Sequence, residues 1–299
     1  MTAPRAHIWT WSDQRQWDFA EGPRVMGILN VTPDSFSDGG RWLAVSAAVE
    51  HAFRLAADGA DVIDIGGEST RPGSLPVEPA EQLRRIVPVI EQLAGKIGVP
   101  LSLDTSSSLV AREGLSAGAQ IVNDVTGLGG DPEMPAVCAE LRCGVIVMHM
   151  QGTPQTMQSE PRYDDVVQEV SAYLAGRVRQ LAAQGIPEER IMIDPGIGFG
   201  KTAAHNLELL SNIARLRAVG RPVLIGHSRK RFLQKVLGRP VEEATAGTIG
   251  VSIGVVEQGA AMIRVHDVRA VKDAIVAWQA VRSGGTAGRK ANDSSAASD

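Results

Sequence analysis

Short β-branched apolar runs recur eight times along this chain, and nearly every one stops at a polar or charged residue that a buried strand would not otherwise tolerate. The runs cover residues 25–29, 62–65, 101–103, 121–122, 145–148, 191–193, 223–225 and 262–265. They give way to Asn30, the segment Gly66 to Arg71, Asp104, Asn123-Asp124, His149, Asp194, the segment His227 to Lys230, and His266, with Arg264 inside the last run. Between them lie stretches with helical spacing of apolar residues, among them 45–58, 81–93, 163–183, 205–218 and 245–258. Strands alternating with helices predict a parallel sheet. Eight such units match the about 250 residues of a closed (β/α)8 TIM barrel, an α/β fold whose catalytic groups gather where strands end and βα loops begin. An open doubly wound sheet is the main competitor. It fits less well, because the first strand runs into Asn30-Val31-Thr32-Pro33 and lacks the Gly-rich dinucleotide turn of that fold.

With 299 residues, 43% of them hydrophobic, the chain can bury one full core. The expected organisation is a capping segment over 1–23, a barrel domain over 24–283 and a disordered tail over 284–299. Trp9, Trp11 and Trp17 are expected to pack as a hairpin or plug over the N-terminal end of the barrel. The tail is small, polar and without apolar anchors. A net charge of -4, with basic residues spread along the chain, leaves no footprint for a nucleic acid or an anionic membrane. The expected partner is a small molecule. No run approaches 18 apolar residues and the N-terminus lacks a signal-peptide profile, so a cytoplasmic location is expected. Cys138 and Cys143 stand in a C-x4-C spacing that fits no common zinc pattern, and are expected to be buried free thiols.

Several segments carry candidate chemistry. Residues 26–40 end a strand and open a loop with Asp34, Asp38, hydroxyls and a double-Gly hinge, which fits a mobile lid as well as ordinary turn chemistry. Residues 64–73 carry two glycines and Arg71, suited to close backbone approach and an anionic ligand. Asp104, Asn123 and Asp194 each end an apolar strand. Buried acceptors cost free energy unless partnered, so three aimed at one barrel mouth suit a heterocycle rich in N–H donors. The bland alternative is that they cap the following helices. Ser228-Arg229-Lys230-Arg231 and Arg264-Val265-His266 place cations where barrels commonly bind phosphate. A plain helix-start cluster would set cations against the helix dipole. His149 is either an orienting group or a satisfied core residue. No H-E-x-x-H cluster is present, so any metal is expected to be an oxygen-liganded Mg²⁺ carried in with a phosphate.

Together these segments resemble the dihydropteroate synthase family. LNVTPDSFSDGG, DIGGESTRPG, LDTSSS, VNDVTG, MHMQGTPQTMQ, DPGIGFGKTAAHNLELL, GHSRKRF and RVHDV occur in order at the ends of successive predicted strands. The resemblance covers residues 19–281. It implies condensation of 6-hydroxymethyl-7,8-dihydropterin diphosphate with 4-aminobenzoate, giving 7,8-dihydropteroate and diphosphate. It implies that Asp194 and Asn123 hold the pterin edge, that Lys230 reaches the ring, and that Asp104 lies near the reacting methylene. Arg264 and His266 would hold the diphosphate, Asn30 the diphosphate–Mg²⁺ unit, and Thr70 the pterin substrate. Asp38 would stabilise the activated intermediate, and Arg71, Pro72, Phe199 and Ser228 would line the aminobenzoate side. A homodimer through the C-terminal helices and sensitivity to sulfonamides are implied in the same way. Ser107-Ser108 stand where relatives often carry Lys and Pro, which bears on helix capping.

Other functions fit the residues less well. A corrinoid-type pterin-dependent methyltransferase needs neither the diphosphate clamp nor the aminobenzoate loop. A non-catalytic pterin-binding paralogue should have lost loop residues that this chain keeps. A Schiff-base aldolase needs an apolar pocket around Lys230, whereas Arg229 and Arg231 flank it.

Overall fold

The structure, a computed structural model, describes residues 7–12, 15–32, 40–69, 73–240 and 243–284. Eight parallel strands form its centre: β3 (Arg24–Asn30), β4 (Val62–Gly66), β5 (Leu101–Asp104), β6 (Ile121–Asp124), β7 (Gly144–Met148), β8 (Ile191–Asp194), β9 (Leu224–Ile225) and β10 (Met262–Val265). Each pairs in parallel with its neighbours, β10 returns to β3, and a parallel bridge between Ile193 and Val223 joins β8 to β9. The sheet is thereby a closed (β/α)8 barrel. β4 to β9 are buried at every residue. One face looks into the barrel and the other meets helices, which is why the strands read as continuous apolar runs.

Helices α1 (Gly40–Ala57), α2 (Pro79–Leu93), α3 (Ser108–Ser116), α4 (Met134–Glu140), α5 (Val166–Ala183), α6 (Ala203–Leu210), α7 (Ile213–Arg217), α8 (Arg231–Leu237), α9 (Thr245–Glu257) and α10 (Val268–Arg282) connect them. Their starts follow local chemistry. Pro79 opens α2 at the first helical position, where its missing N–H costs nothing. The Ser107 hydroxyl accepts from the Val110 N–H, so the serine that departs from the family pattern is the cap of α3. Asp165 caps α5, and Thr202 with His205 forms a reciprocal box at α6.

The helix expected over 205–218 is two helices. Gln258, just past α9, donates to the Leu210 carbonyl at 2.9 Å and accepts from the Ile213 N–H at 3.2 Å. It thus serves the backbone groups that a break releases, a contact invisible to local periodicity. Cys138 and Cys143 are free and buried, as expected.

The N-terminal segment is a hairpin of β1 (Ile8–Ser12) and β2 (Arg15–Asp18), with Trp9 opposite Trp17. Trp9 and Trp11 pack in one cluster with Met26, Val62, Ile121, Ile146, Met192, Leu224 and Met262, which lie near the starts of their strands. The hairpin therefore plugs the N-terminal end of the barrel. Its approach is close: a Cβ on Gly144 would lie 2.8 Å from Trp11 Cα. The Trp9 indole N–H donates to the Arg190 carbonyl at 2.8 Å. Removing this fully buried ring in Trp9→Ala is expected to cost about 3–5 kcal/mol of unfolding free energy, read by chemical denaturation, since the ring fills the barrel floor. A loss below about 1 kcal/mol would show that the plug is not part of the core.

Candidate active site

The expected mouth residues come together by register. Asn30 on β3 pairs with Gly66 on β4, Gly66 with Asp104 on β5, and Asp104 with Asn123 on β6. Paired residues of neighbouring strands point to the same side of the sheet, so Asn30, Asp104 and Asn123 face one space across Gly66. A Cβ on Gly66 would lie 3.5 Å from Asp104 Cβ and 3.7 Å from Asn30 Oδ1. The glycine therefore keeps room between the two.

Arg264 organises this layer. It registers with Met26, four residues before Asn30, and its long stem carries the guanidinium up to two carboxylates. Nε donates to Asp64 Oδ2 at 2.6 Å and Nη2 to Asp104 Oδ2 at 2.6 Å. Asn123 Nδ2 donates to the same Asp64 oxygen at 3.0 Å, leaving its amide oxygen as the atom to offer a ligand. Among the described residues, Asp64 Oδ1 and Asp104 Oδ1 are buried without a hydrogen-bond partner. Such orphaned acceptors are costly and suit N–H donors of a bound heterocycle. Burial raises the Asp104 carboxyl above the ordinary range; Arg264 opposes this and Asp64 adds to it.

On the opposite side, Asp194 ends β8 and its Oδ1 accepts from the Gly196 N–H at 2.7 Å. Burial raises its carboxyl, against the pull of Lys230. The Lys230 ammonium donates to the Ile197 carbonyl and sits 4.4 Å from the Phe199 ring centroid, a cation–π contact. Ser228 Oγ lies 3.1 Å from His266 Nδ1. Asp124 does not cap the following helix, whose N-cap is Glu133; it accepts from Ser106, Thr126 and the Leu128 N–H, which shapes a loop.

The capping alternative fails for Asp104 and Asn123, since Ser107 caps α3 and Glu133 precedes α4. Two expectations need correction. The cluster at 228–231 does stand at a helix start, since Lys230 immediately precedes α8. The unfavourable dipole is avoided because Arg229 turns away to Asp267 at 2.8 Å and Lys230 bends back to Ile197. Nor do neighbouring charges keep Lys230 in an ordinary state: burial lowers its ammonium to about 8, with Asp194 opposing. Arg264 and His266 bond to different partners, the first to carboxylates and the second to Ser228. Asp38, Thr70, Arg71 and Pro72 lie outside the described residues.

The chain matches the family model described as pterin binding enzyme over residues 26–266. It is 43% identical over 261 residues to the dihydropteroate synthase of Escherichia coli K12, covering 87% of this chain and 92% of that protein. This chain belongs to the dihydropteroate synthase family. The family member from Synechocystis is 42% identical over 259 residues, covering 86% of this chain and 90% of that protein. A solved structure of Xanthomonas albilineans dihydropteroate synthase with 4-aminobenzoic acid superposes with a TM-score of 0.86 at 46% identity, covering 93% of this chain and 99% of that one. The same enzyme in complex with 7,8-dihydropteroate gives 0.81 at 44% identity, covering 90% and 97%.

Sequence reasoning missed Asp64 and Lys201, and left His149 open. Asp64 is a carboxylate inside an otherwise apolar run and Arg264 a cation inside another. Two opposite charges at buried strand positions must meet or cost several kcal/mol, and that signal was available. Lys201 is a buried ammonium bonded to His149. Nothing local in the sequence marks it.

Arg264→Met should lower the unfolding free energy by about 3–5 kcal/mol, because two buried carboxylates lose their shared cation. Adding Asp64→Asn should recover part of that loss in denaturant titrations. A double variant no more stable than Arg264→Met would mean that the carboxylates are solvated without the bridge.

Proposed function

We infer that this chain condenses (7,8-dihydropterin-6-yl)methyl diphosphate with 4-aminobenzoate to give 7,8-dihydropteroate and diphosphate in folate biosynthesis. Likeness over nearly the whole chain to an enzyme solved with 4-aminobenzoic acid and with 7,8-dihydropteroate carries this reading. The mouth suits the first substrate. Asn123, Asp194 and the orphaned Asp104 and Asp64 oxygens offer acceptors to the amide and amino edge of a pterin, and Lys230 reaches the ring. Arg264 uses two of its five N–H donors on carboxylates. The remaining donors can meet diphosphate without breaking the bridge, beside His266. Thr70 completes the pterin side.

Asn30 fits a Mg²⁺ bound with the diphosphate. Its Oδ1 borders the space that Gly66 leaves open, and Mg²⁺ takes one or two protein oxygens while phosphate and water fill the rest. Bound there, Mg²⁺ would neutralise charge on the leaving group. The C–O bond to the methylene breaks with its electron pair departing on diphosphate, and the aniline nitrogen then forms the new C–N bond and loses a proton to water. Asp104 and Asp38 stabilise the cationic dihydropterin methylene. Phe199, Ser228, Arg71 and Pro72 hold the aminobenzoate.

We place the enzyme in the cytoplasm as a homodimer through α9 and α10, with Val276 and Val281 exposed on α10. No helix among the described residues is long and apolar enough to cross a membrane. Sulfonamides are expected to compete for the aminobenzoate place, as the Yersinia pestis relative was solved in a sulfonamide drug complex.

Purified protein given dihydropterin diphosphate, Mg²⁺ and 4-aminobenzoate should release diphosphate and form dihydropteroate only when aminobenzoate is present. Tight pterin binding without turnover would instead support the non-catalytic reading. Asp104→Asn should slow release by about 10²-fold or more, the scale of one lost electrostatic contact to the transition state, and change pterin affinity much less. Near-normal turnover would remove Asp104 from the chemistry.

A further inference from the structure

Lys201 is buried to 3% exposure, and burial lowers its ammonium to about 7, with Asp194 opposing; such a position is costly unless every donor is used. All three are. Nζ donates to the Phe199 carbonyl at 2.8 Å and the His149 carbonyl at 3.3 Å, and lies 3.0 Å from His149 Nδ1. Burial lowers the His149 imidazole to about 3, with Lys201 adding to it, and a neutral ring with Nδ1 unprotonated accepts from Nζ. His149 also meets the Tyr173 ring edge-on at 4.9 Å between centroids.

The Phe199 carbonyl is the middle of three consecutive ones that are tied down. Gln158 Nε2 donates to the Gly198 carbonyl at 2.9 Å and Tyr163 Oη to the Gly200 carbonyl at 2.9 Å. Gly196, Gly198 and Gly200 all adopt positive φ, so the loop is a left-handed zigzag open to little but glycine. A Cβ on Gly198 would lie 2.8 Å from Lys230 Cδ, and one on Gly196 would strike the His149 carbonyl. Two of the three tethers come from the loop between β7 and α5, and that loop also reaches the loop after β4 through Gly73 N–H to the Pro154 carbonyl at 3.2 Å.

We propose that Lys201 is a positioning residue for the aminobenzoate half of the reaction: with Gln158 and Tyr163 it brackets the three carbonyls around Phe199 and fixes the ring against which aminobenzoate rests. The assignment rests on the function inferred above. Lys201 touches no reacting atom; it acts through Phe199. Its other route to the site is electrostatic, toward Asp194, and the two routes predict different losses.

The full-length protein and its Lys201→Met, Gln158→Ala and Tyr163→Phe variants are compared in three measurements. Diphosphate release is followed against aminobenzoate at saturating dihydropterin diphosphate and Mg²⁺. Dihydropterin diphosphate binding is titrated calorimetrically. Hydrogen exchange is read at residues 196–201. In Lys201→Met the KM for aminobenzoate should rise about tenfold, the scale of one lost charge-assisted hydrogen bond, with pterin affinity and kcat little changed. The two single-tether variants should show the same split, more weakly, and exchange at 196–201 should quicken in all three. An unshifted aminobenzoate KM overturns the proposal, and so does a loss of pterin affinity equal to the rise in KM, which would assign Lys201 to Asp194. Should Lys201→Met fail to fold, unchanged KM and exchange in both Gln158→Ala and Tyr163→Phe overturn it equally. Absence of release by the unsubstituted protein refutes the inferred reaction; the exchange measurement then still decides the bracket.

Discussion

One guanidinium held between two buried carboxylates organises the mouth of this barrel. Moving any of these three charges out of water costs several kcal/mol, and their attraction offsets that only when the geometry is close. Arg264 meets Asp64 and Asp104 at 2.6 Å each, so the condition is met. One positive charge shared by two negative ones leaves the layer electron-rich. That is the setting in which orphaned carboxylate oxygens await N–H donors and a developing cation would be stabilised. The same bridge orients Asn123 through Asp64. Orientation of Asn123 and neutralisation of the barrel centre are therefore one hydrogen-bonded unit.

Around this unit the two halves of the site are built differently. One side, with Asn30, Asp104 and Asn123, sits on strand ends, where the barrel register sets positions to within the spacing of the ladder. The other side sits on loops, with Phe199 in a glycine zigzag tied by long side chains. Strand-borne groups are rigid by construction, whereas loop-borne groups need tethers. Glu68 and Gln82 do similar work at the base of the loop between β4 and α2, where Gln82 Nε2 donates to Glu68 at 2.8 Å and to the Val77 carbonyl at 2.9 Å. The floor is closed by tryptophans and the polar strand ends face the opposite mouth, a division of stability from function common to this architecture.

Much of this was legible in the chain. Eight apolar runs with polar ends declared the barrel, because buried parallel strands need uninterrupted apolar residues and tolerate Asp104, Asn123 and Asp194 only at their ends. Trp9 and Trp11 declared the plug, because rings of that size near a terminus must bury somewhere. Local polar chemistry set the helix starts at Ser107, Asp165 and Thr202.

Tertiary structure alone decided which charges meet. Asp64 and Arg264 lie 200 positions apart, and only closure of β10 onto β3 brings them together. Closure also let Gln258 split the expected helix over 205–218, turned Arg229 to Asp267 and freed Lys230 to lie over Phe199. Lys201 and His149 are the sharpest case: their pairing depends on the contact of two loops from adjacent strands. Periodicity and end residues are local, so the sequence by itself determined the strands, their order and the residues at their ends. Long-range electrostatic and hydrogen-bond partners depend on distances that exist only after the barrel closes, so the pairing of those residues belonged to the fold.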